Sequence, residues 1–461
     1  MFRRILIANR GEIAARIIRT CRELGIETVA VHSEADRGSP HLEGATRTVC
    51  IGPPKSAESY LNMDAILQAA IQNDCQAVHP GYGFLSENAL FAKRCLLQRT
   101  TFIGPPPGAI ALMGDKAEAK RTMARLGLPT IPGSKGIVSG AAEAAAIGRE
   151  AGYPVLLKAA SGGGGKGMRL ARSEAELMRL FPEAAMEAEK AFSDASIYVE
   201  KYIEGGRHIE FQVLADSYGA AVHLGERECS IQRNHQKLIE ESPSAALSPA
   251  ERDGLGRRVA AAVAASGYVG AGTVEFLRDR DGAFYFMEVN ARLQVEHPVT
   301  EMITGFDLVR EQIRIAAGEP LGFGQDRVSF SGHAIEFRIN AEDPDNGFRP
   351  DPGTVTKWEP PAAPDGARLR LDSHVREGYT VPPFYDSLLG KLILHADERG
   401  RLLDAAAAAV GAFRVAGVKT TLPLHARILT SPAFRSGAYD LTTLGALMDE
   451  GRKAGKKESR K

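Results

Sequence analysis

The chain has 461 residues, 44% apolar and 25% charged, and its 57 acidic and 57 basic side chains give a formal net charge of zero. That balance excludes a disordered chain and a generally basic nucleic-acid binder, and at roughly 150 residues per domain the length predicts about three domains. The five cysteines, Cys21, Cys50, Cys75, Cys95 and Cys229, include no Cys-x-x-Cys pair, which argues against structural zinc and a disulfide framework. No apolar run reaches the roughly 18 residues of a membrane span, and the run Ile5 to Ala8 is too short for a signal-peptide core. A cytoplasmic protein with no nucleic-acid or membrane partner is expected.

In chain order, Arg4 to Ala8 reads as a strand, Gly11 to Leu24 as a helix stopped by Gly25, and Thr28 to His32 as a second strand. Asp64 to Asn73 is a further helix, and Ala77 to His79 and Thr101 to Ile103 are further strands. Alternating strands and helices imply a parallel sheet, whose ligands sit beyond the carboxyl ends of the strands. Asn9-Arg10-Gly11-Glu12 and His79-Pro80-Gly81-Tyr82-Gly83 occupy such positions, without the Gly-x-Gly-x-x-Gly of a dinucleotide site. The Pro-rich stretch from Gly104 to Gly108 marks a boundary. The predicted fold is a multidomain α/β and α+β chain: a Rossmann-like layer over 1–113, a central domain over 114–327 and a mixed β-rich domain over 328–449. The last domain includes a helix over Arg401 to Phe413. From Gly451 to Lys461 there are six basic residues and one acid, so 450–461 is expected to be a disordered basic tail.

Three patterns carry chemistry. In the first, a strand ending at Lys158 leads into Ser161-Gly-Gly-Gly-Gly-Lys166-Gly, and Met168 to Ala171 returns to a strand. The return excludes a dinucleotide loop, and no Ser or Thr follows a Gly-Lys as a Walker loop requires. What remains is a glycine flap able to close over a polyphosphate, or else a surface hairpin.

In the second pattern, Asp281-Gly282 separates two strands and reads as a two-residue hairpin turn with Arg280 facing Ala283. That register sets Glu275 opposite Glu288, where two carboxylates repel. A hard divalent cation would resolve the repulsion, with Asn290 adding an oxygen on the same face; an exposed edge carrying ordinary acids is the alternative. In the third pattern, period-two spacing turns Glu288, Asn290, Arg292, Gln294 and Glu296 to one side for as long as the chain stays extended. Arg292 offers a planar fork for a small oxyanion and Glu296 a base. His208, His235, Lys237 and Cys229 carry no legible role from spacing alone.

These patterns together resemble the ATP-grasp ligases. Ala8-Asn-Arg-Gly-Glu-Ile-Ala14, His79-Pro-Gly-Tyr-Gly-Phe-Leu-Ser-Glu-Asn88, Glu226-Arg-Glu-Cys-Ser-Ile-Gln-Arg-Asn-His-Gln-Lys237 and Glu296-His-Pro-Val-Thr-Glu301 are more specific. Over roughly residues 1–445 the chain resembles biotin carboxylase, the component of acetyl-CoA carboxylase that attaches CO₂ to biotin. The resemblance implies that Lys116, Lys158, Gly164, Gly165, Glu200, Lys201, Tyr202, Ile203, His208 and His235 hold ATP. It implies two Mg²⁺ or Mn²⁺ ions on Glu275, Glu288 and Asn290. Bicarbonate would lie on Lys237, Arg292 and the Val295 backbone, with Glu296 as its base and Arg338 approaching both bicarbonate and biotin. The implied partners are a separate biotin carboxyl carrier protein, carboxyltransferase subunits and a second copy of the chain, since the family is often a homodimer using the positions of Arg19 and Glu23. No Met-Lys-Met biotinylation turn occurs in the sequence, so biotin is expected on that separate carrier. The rivals are another ATP-grasp ligase, such as a carbamoyl-phosphate synthetase half, and a regulatory nucleotide-binding protein without catalysis.

Overall fold

The computed structural model describes residues 1–159, 168–192 and 194–458. Gly164 and Gly165 of the glycine flap lie outside the described residues. The amino-terminal layer is a parallel sheet of five strands in the spatial order Arg47–Cys50, Glu27–His32, Arg4–Ile7, Ala77–His79 and Thr101–Phe102. Its central strand Arg4–Ile7 is buried throughout and apolar from Ile5 on, as a strand covered by helices on both faces must be. The edge strand Arg47–Cys50 is not legible in the sequence, because its residues are mostly exposed and carry no apolar alternation.

The crevice between the Arg4–Ile7 and Ala77–His79 strands is the switch point expected to take a ligand. Here its two loops are fastened to each other. The Asn9 side-chain amide donates to the carbonyls of Pro80 and Tyr82, each at 2.7 Å. Gly81 has φ +63, and a Cβ there would lie 3.0 Å from the Asn9 amide nitrogen, so the lock requires glycine. Arg10 closes the floor with a bidentate pair to Asp36 at 2.7 and 2.8 Å. From this platform Glu12 and Glu87 reach outward into the large sheet described next.

That sheet has eight strands, all antiparallel, in the order Phe284–Asn290, Gly270–Arg278, Arg207–Ala215, Ala221–Arg233, Gln236–Ser242, His333–Asn340, Leu388–Ala396 and Arg368–Ser373. It runs without interruption across residue 327, where the sequence suggests a domain change, because Gln236–Ser242 pairs directly with His333–Asn340. The apolar core of the second half also takes in Ile231, Leu238 and Ile239, and a smaller cluster joins Val299 and Ile303 to Ala334 and Ile393, so packing crosses residue 327 as well. A third sheet of three strands, Met168–Ala171, Val155–Ala159 and Ile197–Lys201, packs its own core against the helices Ala141–Ala151 and Glu174–Phe192.

One local expectation changes. Of the segment expected to be a disordered tail, residues 450–458 continue the helix Thr443–Glu458, and 459–461 lie outside the described residues. Extending a helix costs far less than starting one, and Arg452, Lys453, Ala454, Lys456 and Lys457 are good helix formers. Arg19 and Glu23, four apart on the helix Gly11–Glu23, do not pair with each other; Arg19 reaches Asp372 at 3.3 Å and Glu23 accepts from Arg310 at 3.1 Å. Among the described residues, no helix is long and apolar enough to cross a membrane.

Candidate active site

The hairpin that carries the two acids is built differently from its sequence reading. Asp279 donates its N–H to Ala283 at 2.9 Å, so the loop holds three residues, 280 to 282, and Arg280 does not face Ala283. The cause is the Asp279 side chain, which accepts the N–H groups of Asp281 at 3.0 Å and Ala283 at 2.8 Å. Such an Asx turn competes with the two-residue turn, and Gly282 takes the positive φ of +88 that the longer loop needs. Pairing near the turn is therefore shifted by one: Phe276 faces Phe286 and Arg278 faces Phe284. A bulge between Phe276 and Glu275 absorbs one residue and restores the register, so Glu275 does stand opposite Glu288.

The expected repulsion between these acids is balanced within the protein. Glu288 pairs with the Lys116 ammonium at 2.9 Å, at the mouth of the site, where the lysine is largely exposed. Glu275 is buried and receives Lys237 at 2.9 Å, His208 at 3.2 Å, and the side-chain amides of Asn290 and Gln294, each at 2.9 Å. Burial alone would raise the Glu275 carboxyl, but Lys237 and His208 hold it well below the ordinary carboxylate range. Burial pulls the His208 imidazole down, yet Glu275 and Glu210 outweigh it and lift the pKa to about 9, so this histidine is charged at neutral pH.

Lys237 is the hub. Its ammonium, 8% exposed as a residue, touches Glu210, Glu275 at 2.9 Å and Glu296 at 2.6 Å. Glu296 stands just ahead of the helix His297–Thr304 and also accepts from Arg338 at 3.0 Å. Burial opposes its ionisation, but Lys237, Arg338 and Arg227 hold it anionic. Arg338 is clamped from its other side by Glu240, Nε to Oε1 at 2.6 Å.

The strand that supplies Asn290 ends there, so the chain from Arg292 to Glu296 is not extended as the period-two reading assumed. Its polar side chains still converge, because Gln294 and Asn290 both fold onto Glu275 and Arg292 donates to Asn290 Oδ1 at 2.9 Å. The remaining guanidinium nitrogens of Arg292 meet Glu87 at 2.8 Å and the Leu293 carbonyl at 3.2 Å. Lys391 donates to the Val295 carbonyl at 2.9 Å.

The nucleotide candidates fall into two groups. Lys116 and His208 belong to the array just described, as does the bicarbonate candidate Lys237. Lys158 and Glu200 form a second cluster on the three-stranded sheet, where Glu200 accepts from Lys158 at 2.5 Å and from Lys120 at 2.9 Å. Glu200 also helps to raise the Lys116 pKa, as do Glu288 and Glu275, which ties the two groups together. Lys201 instead turns its ammonium to the carbonyls of Ala151 and Gly152, each at 3.1 Å, at the end of a helix. Tyr202 and Ile203 follow it, with the Tyr202 N–H bonded to the Pro154 carbonyl at 2.9 Å. His235 sits exposed in the turn before Gln236–Ser242, with φ +66, outside the ion-pair array.

Sequence reasoning missed several members of the site. Arg227 is fully buried and binds Glu210 at 2.6 Å, Gln212 at 2.7 Å, Gln294 at 2.9 Å, Thr300 at 3.0 Å and Thr273 at 3.1 Å. Glu87 holds both the Ala291 N–H at 2.9 Å and Arg292, and Lys120 shares Glu200. Arg227 and Glu87 lie inside the quoted motifs, so their long-range partners were the missing information. Cys229 is buried with Glu210 and Glu296, and burial pushes its thiol well above the ordinary range, which excludes a thiolate nucleophile. Glu275, Glu288 and Asn290 carry oxygens on opposed strands, the donor type that suits a hard divalent cation, although here the Asn290 oxygen accepts from Arg292 and the Glu275 oxygens are taken by Lys237, His208 and side-chain amides.

Comparison with known proteins agrees with the fold. Residues 1–110 match the family described as biotin carboxylase, N-terminal domain, residues 115–323 the carbamoyl-phosphate synthase L chain, ATP binding domain, and residues 336–446 the biotin carboxylase C-terminal domain. The biotin carboxylase of Nostoc sp. is 54% identical over 95% of this chain and 97% of its own length. The 2-oxoglutarate carboxylase small subunit of Hydrogenobacter thermophilus is 49% identical over 95% of this chain and 92% of its own length. A crystal structure of the latter enzyme's biotin carboxylase domain dimer with MgADP, ADP and bicarbonate superposes with a TM-score of 0.89, at 48% identity, over 97% of this chain and 99% of that one. The fold and the site thus define an ATP-grasp ligase. More narrowly, the chain belongs to the biotin carboxylase family.

Proposed function

We propose that this chain carboxylates biotin, carried on a separate biotin carboxyl carrier protein, with ATP and bicarbonate, as the first half-reaction of acetyl-CoA carboxylase. The observation that carries the proposal is the buried Lys237–Glu296–Arg338 array, where a carboxylate kept anionic by two cations lies beside an oxygen-donor hairpin. Lys116, Lys158, Glu200, Lys201, Tyr202, Ile203, His208 and His235 would hold ATP, with Gly164 and Gly165 closing over its phosphates. Glu275, Glu288 and Asn290 would hold two Mg²⁺ or Mn²⁺ ions, which supply charge neutralisation for the phosphoryl oxygens.

Bicarbonate would enter between Lys237, Arg292 and the Val295 backbone. As it shares these cations, Glu296 loses part of what depresses its pKa and becomes basic enough to take the bicarbonate proton. The freed oxygen attacks the γ-phosphorus, the bond to ADP breaks, and carboxyphosphate forms. Carboxyphosphate then separates into CO₂ and phosphate, and the phosphate removes the proton from biotin N1′. Arg338 stabilises the resulting enolate oxygen, and N1′ attacks CO₂. Two chains would assemble as a homodimer through the surface around Arg19 and Glu23.

A second reading keeps every residue role and changes only the carboxyltransferase partner, to a propionyl-CoA, pyruvate, urea or 2-oxoglutarate type. The 2-oxoglutarate carboxylase relative favours keeping it. The test is phosphate release from ATP with bicarbonate and biotin each present or omitted, followed by transfer assays from the carboxylated carrier. Release that needs both substrates, rises with a biotinylated carrier and yields malonyl-CoA with acetyl-CoA carboxyltransferase is expected. Bicarbonate-independent hydrolysis, or carbamoyl phosphate made from ammonia, would overturn the proposal.

A further inference from the structure

Beneath Arg338 the large sheet holds a pair of acids that the reaction above leaves unused. Glu240 and Glu336 are cross-strand partners on Gln236–Ser242 and His333–Asn340, and both are 0% exposed. Glu240 Oε1 accepts from Arg338, whereas Glu240 Oε2 and both oxygens of Glu336 have no hydrogen-bond partner among the described residues. Three orphaned carboxylate oxygens in a dry layer demand an explanation.

Charge counting supplies one. Glu12, Glu240, Glu296 and Glu336 are all buried here; Arg338 is shared between Glu240 and Glu296, and Lys391 pairs with Glu12. Lys237 is already divided among Glu210, Glu275 and Glu296. Glu296 is held anionic by Lys237, Arg338 and Arg227, so Glu240 is left with a shared arginine, and Glu336, opposite it with neither oxygen paired, cannot also stay ionised away from water. We propose that Glu240 and Glu336 share one proton, with Glu336 donating it to Glu240 Oε2, so that Glu240 stays an anion and fixes the Arg338 guanidinium for biotin.

Both are positioning residues, acting on substrate only through Arg338, and the proposal rests on the biotin-carboxylating reading above. Arg338, Glu296 and Lys237 face Glu240, and Lys391, Arg338 and Glu296 face Glu336; Cys229, itself neutral, also lies near Glu240. Burial raises Glu336 well above the ordinary carboxylate range and Glu240 to about 7, with Arg338 pulling each back. At alkaline pH the shared proton leaves, the two carboxylates repel, and Arg338 loses its fixed orientation.

The experiment is an infrared difference spectrum of the full chain in heavy water at neutral pH, wild type minus Glu336→Gln. A protonated-carboxyl carbonyl band in the difference is expected, and its absence would overturn the proposal. If Glu336→Gln does not fold, Glu240→Gln serves the same subtraction, because losing the acceptor shifts the band. Kinetically, Glu336→Gln keeps a neutral donor, so the alkaline limb of biotin-dependent kcat should move to higher pH. Glu240→Gln should lower that kcat by roughly tenfold to a hundredfold, as loss of a stabilising donor's orientation does, with the ATP KM changed less than about twofold. An unmoved alkaline limb, or a wild-type kcat in Glu240→Gln, would also overturn the pair. A wild-type chain with no biotin-dependent turnover defeats the functional reading, and the infrared band still decides the pair.

Discussion

Replacing Lys237 with methionine preserves the side chain's length and removes its charge from the centre of the site. Its ammonium contacts Glu275 at 2.9 Å and Glu296 at 2.6 Å, besides Glu210. At an effective dielectric of about 20, unit charges at such distances attract by about 6 kcal/mol per pair before desolvation. Desolvation offsets most of that, and deleting one partner of a buried pair costs about 3–5 kcal/mol. The low end applies here, because Arg227 remains on Glu210, His208 on Glu275 and Arg338 on Glu296.

A loss of about 3 kcal/mol in a cooperative unit of about 200 residues lowers Tm by roughly 6–12 °C. The pH dependence has a definite sign. Glu210, Glu275 and Glu296 are held below their ordinary range, so their contribution is present above about pH 4.5 and is lost as pH falls through the folded values. Without Lys237 those folded values rise, the folded state takes up protons, and acid narrows the gap to wild type. Differential scanning calorimetry at about pH 5.5 and 7.5 measures both effects. A Tm within about 2 °C of wild type at the higher pH, or a gap that widens in acid, would refute the reasoning.

Glu288→Lys places a cation at the open end of the oxygen-donor set and should abolish bicarbonate-dependent ATP hydrolysis. Stability should change by less than about 1 kcal/mol, since the Glu288–Lys116 pair is solvent-exposed on the lysine side; retained hydrolysis with unchanged Mg²⁺ dependence would defeat the metal assignment. The His208 pKa of about 9 means that its stabilisation is complete below about pH 6.5 and fades as pH rises through 9. The Tm difference between wild type and His208→Asn should therefore shrink over that interval, and a constant difference would show that the charge is irrelevant. At micromolar concentration, sedimentation should reveal a dimer that Arg19→Glu weakens, and monomer alone in the wild type would exclude the assembly proposed.

Part of this molecule was legible before any coordinate. The strands Arg4–Ile7 and Glu27–His32 and the helix between them follow from apolar runs and periodicity, which act within a few residues. The Asp281-Gly282 hairpin and the opposition of Glu275 and Glu288 were legible too, though the latter emerged through a longer turn compensated by a bulge. Turn length depends on how one aspartate spends its side-chain oxygen, and two turns competing within about 1 kcal/mol are not separable by pattern.

The partners of the charges were decided by the tertiary structure. Lys237 meets acids 27, 38 and 59 residues away, Arg292 is held by Glu87 from 205 residues away, and Arg338 by Glu240 from 98. Residue type states that a lysine or an arginine needs an anion when buried. Which anion it meets, and therefore which acid stays ionised and which keeps its proton, is set by strand order and register across the eight-stranded sheet. Those depend on contacts summed over the whole chain, and electrostatic energies at a site change with every group that folding brings within a few ångströms.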